Sequence, residues 1–411
     1  MNLDRKTPAR ILAAFVLTCP AIAQDWIIPA GTVVQYQTDP FSSPLFFNRV
    51  VIEPGATLRV QGSWPLSLVC AELEVHGTLE ASGDDSLGVL TLNTTNQPEV
   101  GALAGAGGGD GGTGSAATNA STALGGPGSP SLFTGSGIGG FGGESSFGLG
   151  GTDVRRGAGG GGGRLAADDP QVNVPLDPQN LGYVATDGFD GGPLGTSAFT
   201  LQGPARGGTA GDSYFVDSDP TNDFWGLQVL PSGASVRGEA RRPTGGRGGG
   251  AGGDASSTAV FPSPFVPTGD EKGAGGGGGG GLVLIKARRI VIGSEGRIRA
   301  DGGDGGGGEN TFFFDRVGGG SGGGSGGWIA LDALEFDLSL ASEDAITALG
   351  GRGGVGRQDR HDVVGAGGNG GPGVVQLHTV DGSASSIALP VGRSVEDLTA
   401  PNAYLLLPIG R

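Results

Sequence analysis

The sequence is poor in the residues that most folds depend on. Its 411 residues include one Met, at position 1, two Cys and three His; aromatic residues make up 6% and charged residues 16%. Two cysteines cannot build a disulfide framework. The histidines at 76, 361 and 378 lie far apart, with no Cys at metal spacing, and offer no zinc site. No segment approaches 18 consecutive apolar residues, so no membrane-spanning helix is expected. Gly-Lys-Ser/Thr is absent and no G-x-G-x-x-G opens a helix after a strand, so a nucleotide loop is not expected.

What is abundant is glycine, at 90 residues, with 25 Pro. Gly costs roughly 1 kcal/mol at an interior helical position, which excludes a helical bundle. It has no three-residue period, which excludes collagen. At the N-terminus, Arg5, Lys6 and Arg10 precede the apolar stretch Ile11 to Thr18, and Ala21-Ile22-Ala23 gives a small-x-small cleavage pattern before Gln24. Residues 1–23 are therefore expected to be an export signal. Thr18 stands where a lipidation site takes Gly or Ala, so Cys19 is assigned to the signal. Cleavage would leave Cys70 as the sole cysteine and a net charge of −18. That balance disfavours nucleic acid and suits an extracellular, divalent-cation-rich setting.

The apolar residues are gathered into short β-type runs. Leu66-Ser-Leu-Val-Cys-Ala71, Val89-Leu-Thr-Leu-Asn-Thr94, Leu282-Val-Leu-Ile-Lys-Ala287, Trp328-Ile-Ala-Leu-Asp-Ala333 and Val374-Val-Gln-Leu-His-Thr379 are versions of one strand. Leu282 to Trp328 and Trp328 to Val374 are each 46 residues, and Leu66 to Val89 is 23. A fixed period of this size signals a stacked repeat. Further strands follow in each repeat, at Leu73–Val75, Ile290–Ile292 and Phe336–Leu338, then at Leu79–Ala81, Ile298–Ala300 and Ile346–Ala348. Related strands are expected at Ile52–Leu58 and Leu230–Val236. One such unit cannot bury its apolar face, but stacking at ~4.8 Å builds a continuous core. The prediction is all-β: a right-handed parallel β-helix with long Gly-rich loops and insertions.

The stretch from Val51 to Gly83, and the alternation of poly-Gly with LVLIKARRIVIGSEGRIRADGG (282–303), resembles Gly-rich secreted bacterial proteins of the pectin-lyase-like parallel β-helix type. The resemblance covers 25–100 and 280–380. It implies architecture, and a surface or matrix role, with no catalytic residues to carry over.

The expected organisation is a signal at 1–23, N-terminal coils at 24–100, and a Gly-rich insertion at 101–280. C-terminal coils at 281–380 and a cap or tail at 381–411 complete it. Ile27–Tyr36 and Ala403–Ile409 are the candidate end caps. Tyr183, Tyr214, Phe215, Phe224 and Trp225, in the middle of the insertion, could pack onto the side of the stack. Poly-Gly such as Gly275–Gly281 could stay mobile or form extended three-fold strands, and loops stacked along one edge are expected.

Aligning the repeats puts Glu72, Arg289 and Glu335 in one column, Cys70, Lys286, Asp332 and His378 in a second, and Glu80, Arg299 and Thr347 in a third. Alternating charge fits ladder neighbours, each pair contributing ~0.2–1 kcal/mol, better than a catalytic groove. Cys70 falls in the polar column, which could leave its thiol partly exposed; the preferred reading is a small strand residue. Gly319-Gly-Ser321-Gly-Gly323 matches a nucleophile elbow but lacks the preceding strand and following helix. No cofactor is firmly implied. Calcium is the one allowed, through Asp217, Asp219 and Asp223 in a loop of alternating oxygen ligands, although a solvated acidic turn explains the same residues.

The expected function is a secreted or cell-surface structural or adhesive scaffold without catalysis, associating with extracellular polysaccharide or neighbouring surface proteins. The alternatives are a lyase or hydrolase acting on acidic glycans, and a calcium-dependent adhesin. A lyase would need Arg289, Arg297 or Arg299 in a groove with Asp301 and Asp304.

Overall fold

The computed structural model describes residues 24–89, 98–114, 124–135, 137–148, 155–165, 206–215, 219, 221–230, 232–257, 270–309, 316–355 and 365–408. The expected signal, most of the strand at Val89–Thr94, Tyr183, His361 and Ile409 lie outside them. The protein is nearly all β, and parallel sheets dominate; among the described residues the helical pieces are two 3-10 turns, Ala384–Ser386 and Glu396–Leu398.

Two parallel sheets carry the apolar repeats. The longer has the order Trp26–Ile28, Leu45–Ile52, Leu66–Val75, Leu282–Ile292, Trp328–Asp337, Val374–His378, Tyr404–Leu406, with Ile387–Ala388 also pairing the Trp328 strand. The second has the order Val33–Thr38, Thr57–Gly62, Thr78–Glu80, Arg297–Arg299, Ile346–Thr347, Thr399–Ala400. The chain passes from one sheet to the other and returns one strand further along. Leu282 pairs Trp328 and Trp328 pairs Val374, so the 46-residue spacing is a strand register. Trp26–Ile28 and Val33–Thr38 end the two sheets on one side, and Tyr404–Leu406 ends the longer one on the other.

Inward residues follow from alternation with one break. In the Leu66 strand, Leu66, Leu68 and Cys70 are buried, then Leu73 and Val75, so parity changes across Ala71-Glu72. The Leu282 and Trp328 strands change parity at the corresponding place, which bends each strand around the core. Ala81, Ala300 and Ala348, fully buried, close the core where each coil leaves the second sheet. Each fully buried Leu, Ile or Val contributes about 1.5–3 kcal/mol, so the stacked core supplies the main driving force.

The Gly-rich segments are not edge loops. They form a lattice of extended strands in which the direction of each backbone bond repeats every three residues. In 272–281, the amides of Ala274, Gly277 and Gly280 donate to Gly319, Gly322 and Ser325; those of Gly276 and Gly279 donate to Gly112 and Gly109; those of Gly278 and Gly281 donate to Asp84 and Ala81. The carbonyls of Ala274, Gly277 and Gly280 accept from Gly252, Gly249 and Gly246, those of Gly276 and Gly279 from Ala102 and Gly105, and that of Gly278 from Gly303. This is the periodicity of a three-residue-per-turn extended helix, bonded to six surrounding segments. Among the described residues, 245–254 and 318–327 are surrounded in the same way. Most positions in it admit only Gly: a Cβ on Gly246 would lie 2.5 Å from the carbonyl oxygens of Ser325 and Gly326, and one on Gly322 would overlap the carbonyl of Gly161.

The Leu66 strand pairs directly with the Leu282 strand, so the intervening residues leave the stack and rejoin it without breaking either sheet. Two expectations are corrected. Leu230–Val236 is no stack strand; it spans the turn and part of one arm of an antiparallel hairpin, Leu227–Val229 with Ser235–Arg237. Cys70 pairs Ala287 while Val69 pairs Lys286, one residue off the sequence alignment, so Cys70 faces the core. Burial, with Glu72 adding, pushes its thiol up to about 12.

Two outcomes follow. Native protein should leave Cys70 unmodified by a thiol reagent at pH 8, and denaturant should expose one reactive thiol; rapid native labelling would contradict the inward register. Gly322→Ala should lower stability in urea melts by about 3 kcal/mol or more, since the clash is with backbone. Gly114→Ala, whose Cβ would first meet Gly273 O at 3.2 Å, should cost far less.

Candidate functional site

The outer face of the longer sheet is where side-chain chemistry is concentrated. Strand alternation sends Ser67 and Val69, Leu284 and Lys286, Ala330 and Asp332, and Gln376 and His378 outward from four neighbouring strands. The predicted column Lys286–Asp332–His378 is therefore in register, with Val69 in place of Cys70. Lys286 Nζ lies 3.9 Å from Asp332. All of these but Gln376, together with Trp225, line a mostly apolar cavity of about 280 Å³.

The insertion covers one side of this face. Phe215 packs on Trp328 with ring centroids 5.7 Å apart, Tyr214 meets Trp328 edge-on, and Phe224 lies against Tyr404. The described members of the expected aromatic set thus do pack on the stack. Gln376, fully buried, was not anticipated, and its position in the apolar run Val374–His378 is the one signal that pointed to it. Its Oε1 accepts from Trp225 N at 2.9 Å and Trp328 Nε1 at 3.0 Å; its Nε2 donates to Trp225 O and His378 Nε2, both at 2.9 Å. That assignment fixes the histidine. Leu407 O can only accept, so His378 Nδ1–H donates to it at 2.9 Å and Nε2 is the acceptor. Neither ring nitrogen is left for proton abstraction. Burial lowers the His378 pKa, with Lys286 acting the same way, while the bond to Leu407 and the charge of Asp332 oppose it.

The charged columns form ladders. Arg289 bonds Glu72 at 3.0 Å, Glu335 at 3.0 Å and Asp337 at 2.7 Å. Arg49, missed in the sequence, extends the ladder by pairing in register with Glu72 and bonding Glu74. Arg299 stands between Glu80 and Thr347. Arg297 donates to Gly296 O; Asp301 accepts from Thr347 and Leu349; Asp304 binds Arg352. Arg289 is thus engaged with ladder carboxylates and Asp304 with Arg352, while Arg297 bonds backbone and Arg299 acts on Asp301 through its charge.

Of the calcium candidates, Asp217 lies outside the described residues. Asp219 closes its own turn, accepting from Thr221 N at 3.1 Å and from its hydroxyl, and these bonds hold its carboxyl below the usual range. Asp223 is buried beside Phe224. Among the described residues no three His, Cys, Asp or Glu side chains come together to hold a metal ion. Ser321 is fully buried in the lattice, with its hydroxyl accepting from Gly306 N at 2.7 Å, so it is not poised as a nucleophile.

Because folded His378 is held neutral while the unfolded side chain protonates near 6.5, stability should be full above that pH and decline as pH falls below it. Urea midpoints from pH 8 to 5 should show this decline, and His378→Gln should flatten it; an identical slope in the variant would contradict the buried neutral imidazole.

No helix among the described residues is long and apolar enough to cross a membrane. No known protein-family model, curated protein or solved structure matches the chain.

Proposed function

We propose that the chain is an exported, non-enzymatic scaffold: a right-handed parallel β-helix stiffened along its length by the glycine lattice, of the type it resembles in secreted Gly-rich bacterial proteins. The observation that carries this reading is the lattice itself. Its three central segments spend most of their N–H and C=O groups on neighbouring backbone. Most of their residues carry no side chain that could bind or react, so the lattice contributes mainly rigidity. Handedness is supported by the strong preference of parallel crossovers for the right hand. The Arg289 ladder and the fully bonded His378 support a structural rather than catalytic use of the polar columns. Extracellular placement rests on the basic–apolar–small pattern of residues 1–23 and on the acidic balance.

Hydrogen exchange and a polysaccharide panel test the proposal together. Amides of 245–254, 272–281 and 318–327 should be among the slowest in the protein, and acidic and neutral polysaccharides incubated with it should keep their length. Exchange of those amides within seconds would remove the stiffening element. Shortened polymer would make the protein an enzyme.

A further inference from the structure

Two arginines are buried in the wall of one cavity, in a chain with excess acid. Arg247 is 2% exposed and Arg164 5% exposed, and both line an open cavity of about 830 Å³ together with Gly137, Thr209, Asp212 and Tyr214. Both arise within glycine segments: Arg247 interrupts the central segment 245–254, and Arg164 lies in 157–165, which flanks it. The lattice sets where Arg247 sits. Its amide donates to Ser325 Oγ at 2.8 Å, and its carbonyl accepts from Ser325 N at 2.8 Å. The guanidinium then reaches under Gly137, where a Cβ would lie 2.5 Å from Nη2.

The wall leaves this guanidinium incompletely bonded. Arg247 Nη1 is buried without a hydrogen-bond partner. Arg164 is a second cation on the same cavity. Burial lowers the Arg247 pKa to about 10, and Arg164 adds to the fall; Asp212 and Tyr214 oppose it. The Asp212 carboxylate accepts from Ile138 N at 3.0 Å, and the Tyr214 hydroxyl donates to Arg242 O at 2.8 Å. A buried guanidinium nitrogen without a hydrogen-bond acceptor is costly, and the planar fork of donors matches a two-oxygen anion. The cavity falls in the range of ~300–1,000 Å³ typical of small-molecule sites, so it can admit more than a bare ion.

We propose that this cavity is a binding site for an oxyanion, a carboxylate or sulfate group, held by Arg247 and Arg164. The site goes beyond the scaffold role and does not depend on it; its failure would leave the exchange and polysaccharide results untouched.

The test uses the full exported chain, titrated with sodium sulfate and with sodium acetate against sodium chloride at matched ionic strength, followed by calorimetry and by the melting temperature. Sulfate or acetate should bind and raise the melting temperature where chloride does not, and whichever binds more tightly identifies the class of anion. Arg247→Met fills the same space without the charge; it should keep or raise the melting temperature in chloride and weaken anion binding at least tenfold. Arg164→Gln, the second variant, should weaken it as well. Equal responses to all three salts, or undiminished binding in both variants, would overturn the site.

Discussion

The structure depends on how closely two peptide backbones can approach when no Cβ stands between them. In the glycine segments each chain is ringed by others at hydrogen-bonding distance, and a methyl group at almost any central position would meet a carbonyl. One such bond contributes a net ~0.5–1.5 kcal/mol, while fixing one residue's backbone costs ~1–2 kcal/mol. A single glycine strand therefore has no stability of its own. The lattice persists because its segments are delivered in register, and because leaving any one amide unbonded inside it would cost more than the bond is worth.

The two parallel sheets make that delivery. In the longer repeats the second-sheet strand ends at a buried alanine, Ala300 or Ala348, a glycine segment runs outward, and another returns to the next strand of the first sheet. The 46-residue coils thus exceed the 23-residue ones by one glycine excursion. Because the apolar core fixes strand register, it fixes which glycine faces which carbonyl, and the lattice inherits its order from the core. Alternating charges on the outer corner, from Arg49 through Glu72 and Arg289 to Glu335, reinforce the same register.

The insertion is tied back by a few polar contacts. Gln376 replaces the water that the Trp225 amide and carbonyl would otherwise bind, and aligns His378 in the same bond network. The Trp328 indole, bonded to the same amide oxygen and packed beneath Phe215, joins sheet to insertion. A buried amide with all its bonds made specifies one arrangement, because any displacement leaves several polar atoms unpaired. The guanidinium of Arg247 is the opposite case, a charge placed by the same rigid frame with one nitrogen, Nη1, left without a hydrogen-bond partner.

The sequence by itself determined the parallel strands, their 46-residue register, the Glu72–Arg289–Glu335 ladder and the aromatic patch on the sheet, since each rests on local alternation and fixed spacing. It misplaced Cys70 by one residue because the parity change at Ala71-Glu72 is a bend and leaves no mark in composition. It read Leu230–Val236 as one more repeat, since a Pro-Ser-Gly turn between apolar residues looks the same in a hairpin. Only the tertiary structure decided that glycine runs separated by up to two hundred residues would become one another's hydrogen-bonding partners. Glycine carries no side chain to encode a neighbour, so its place follows from where the folded sheets put it.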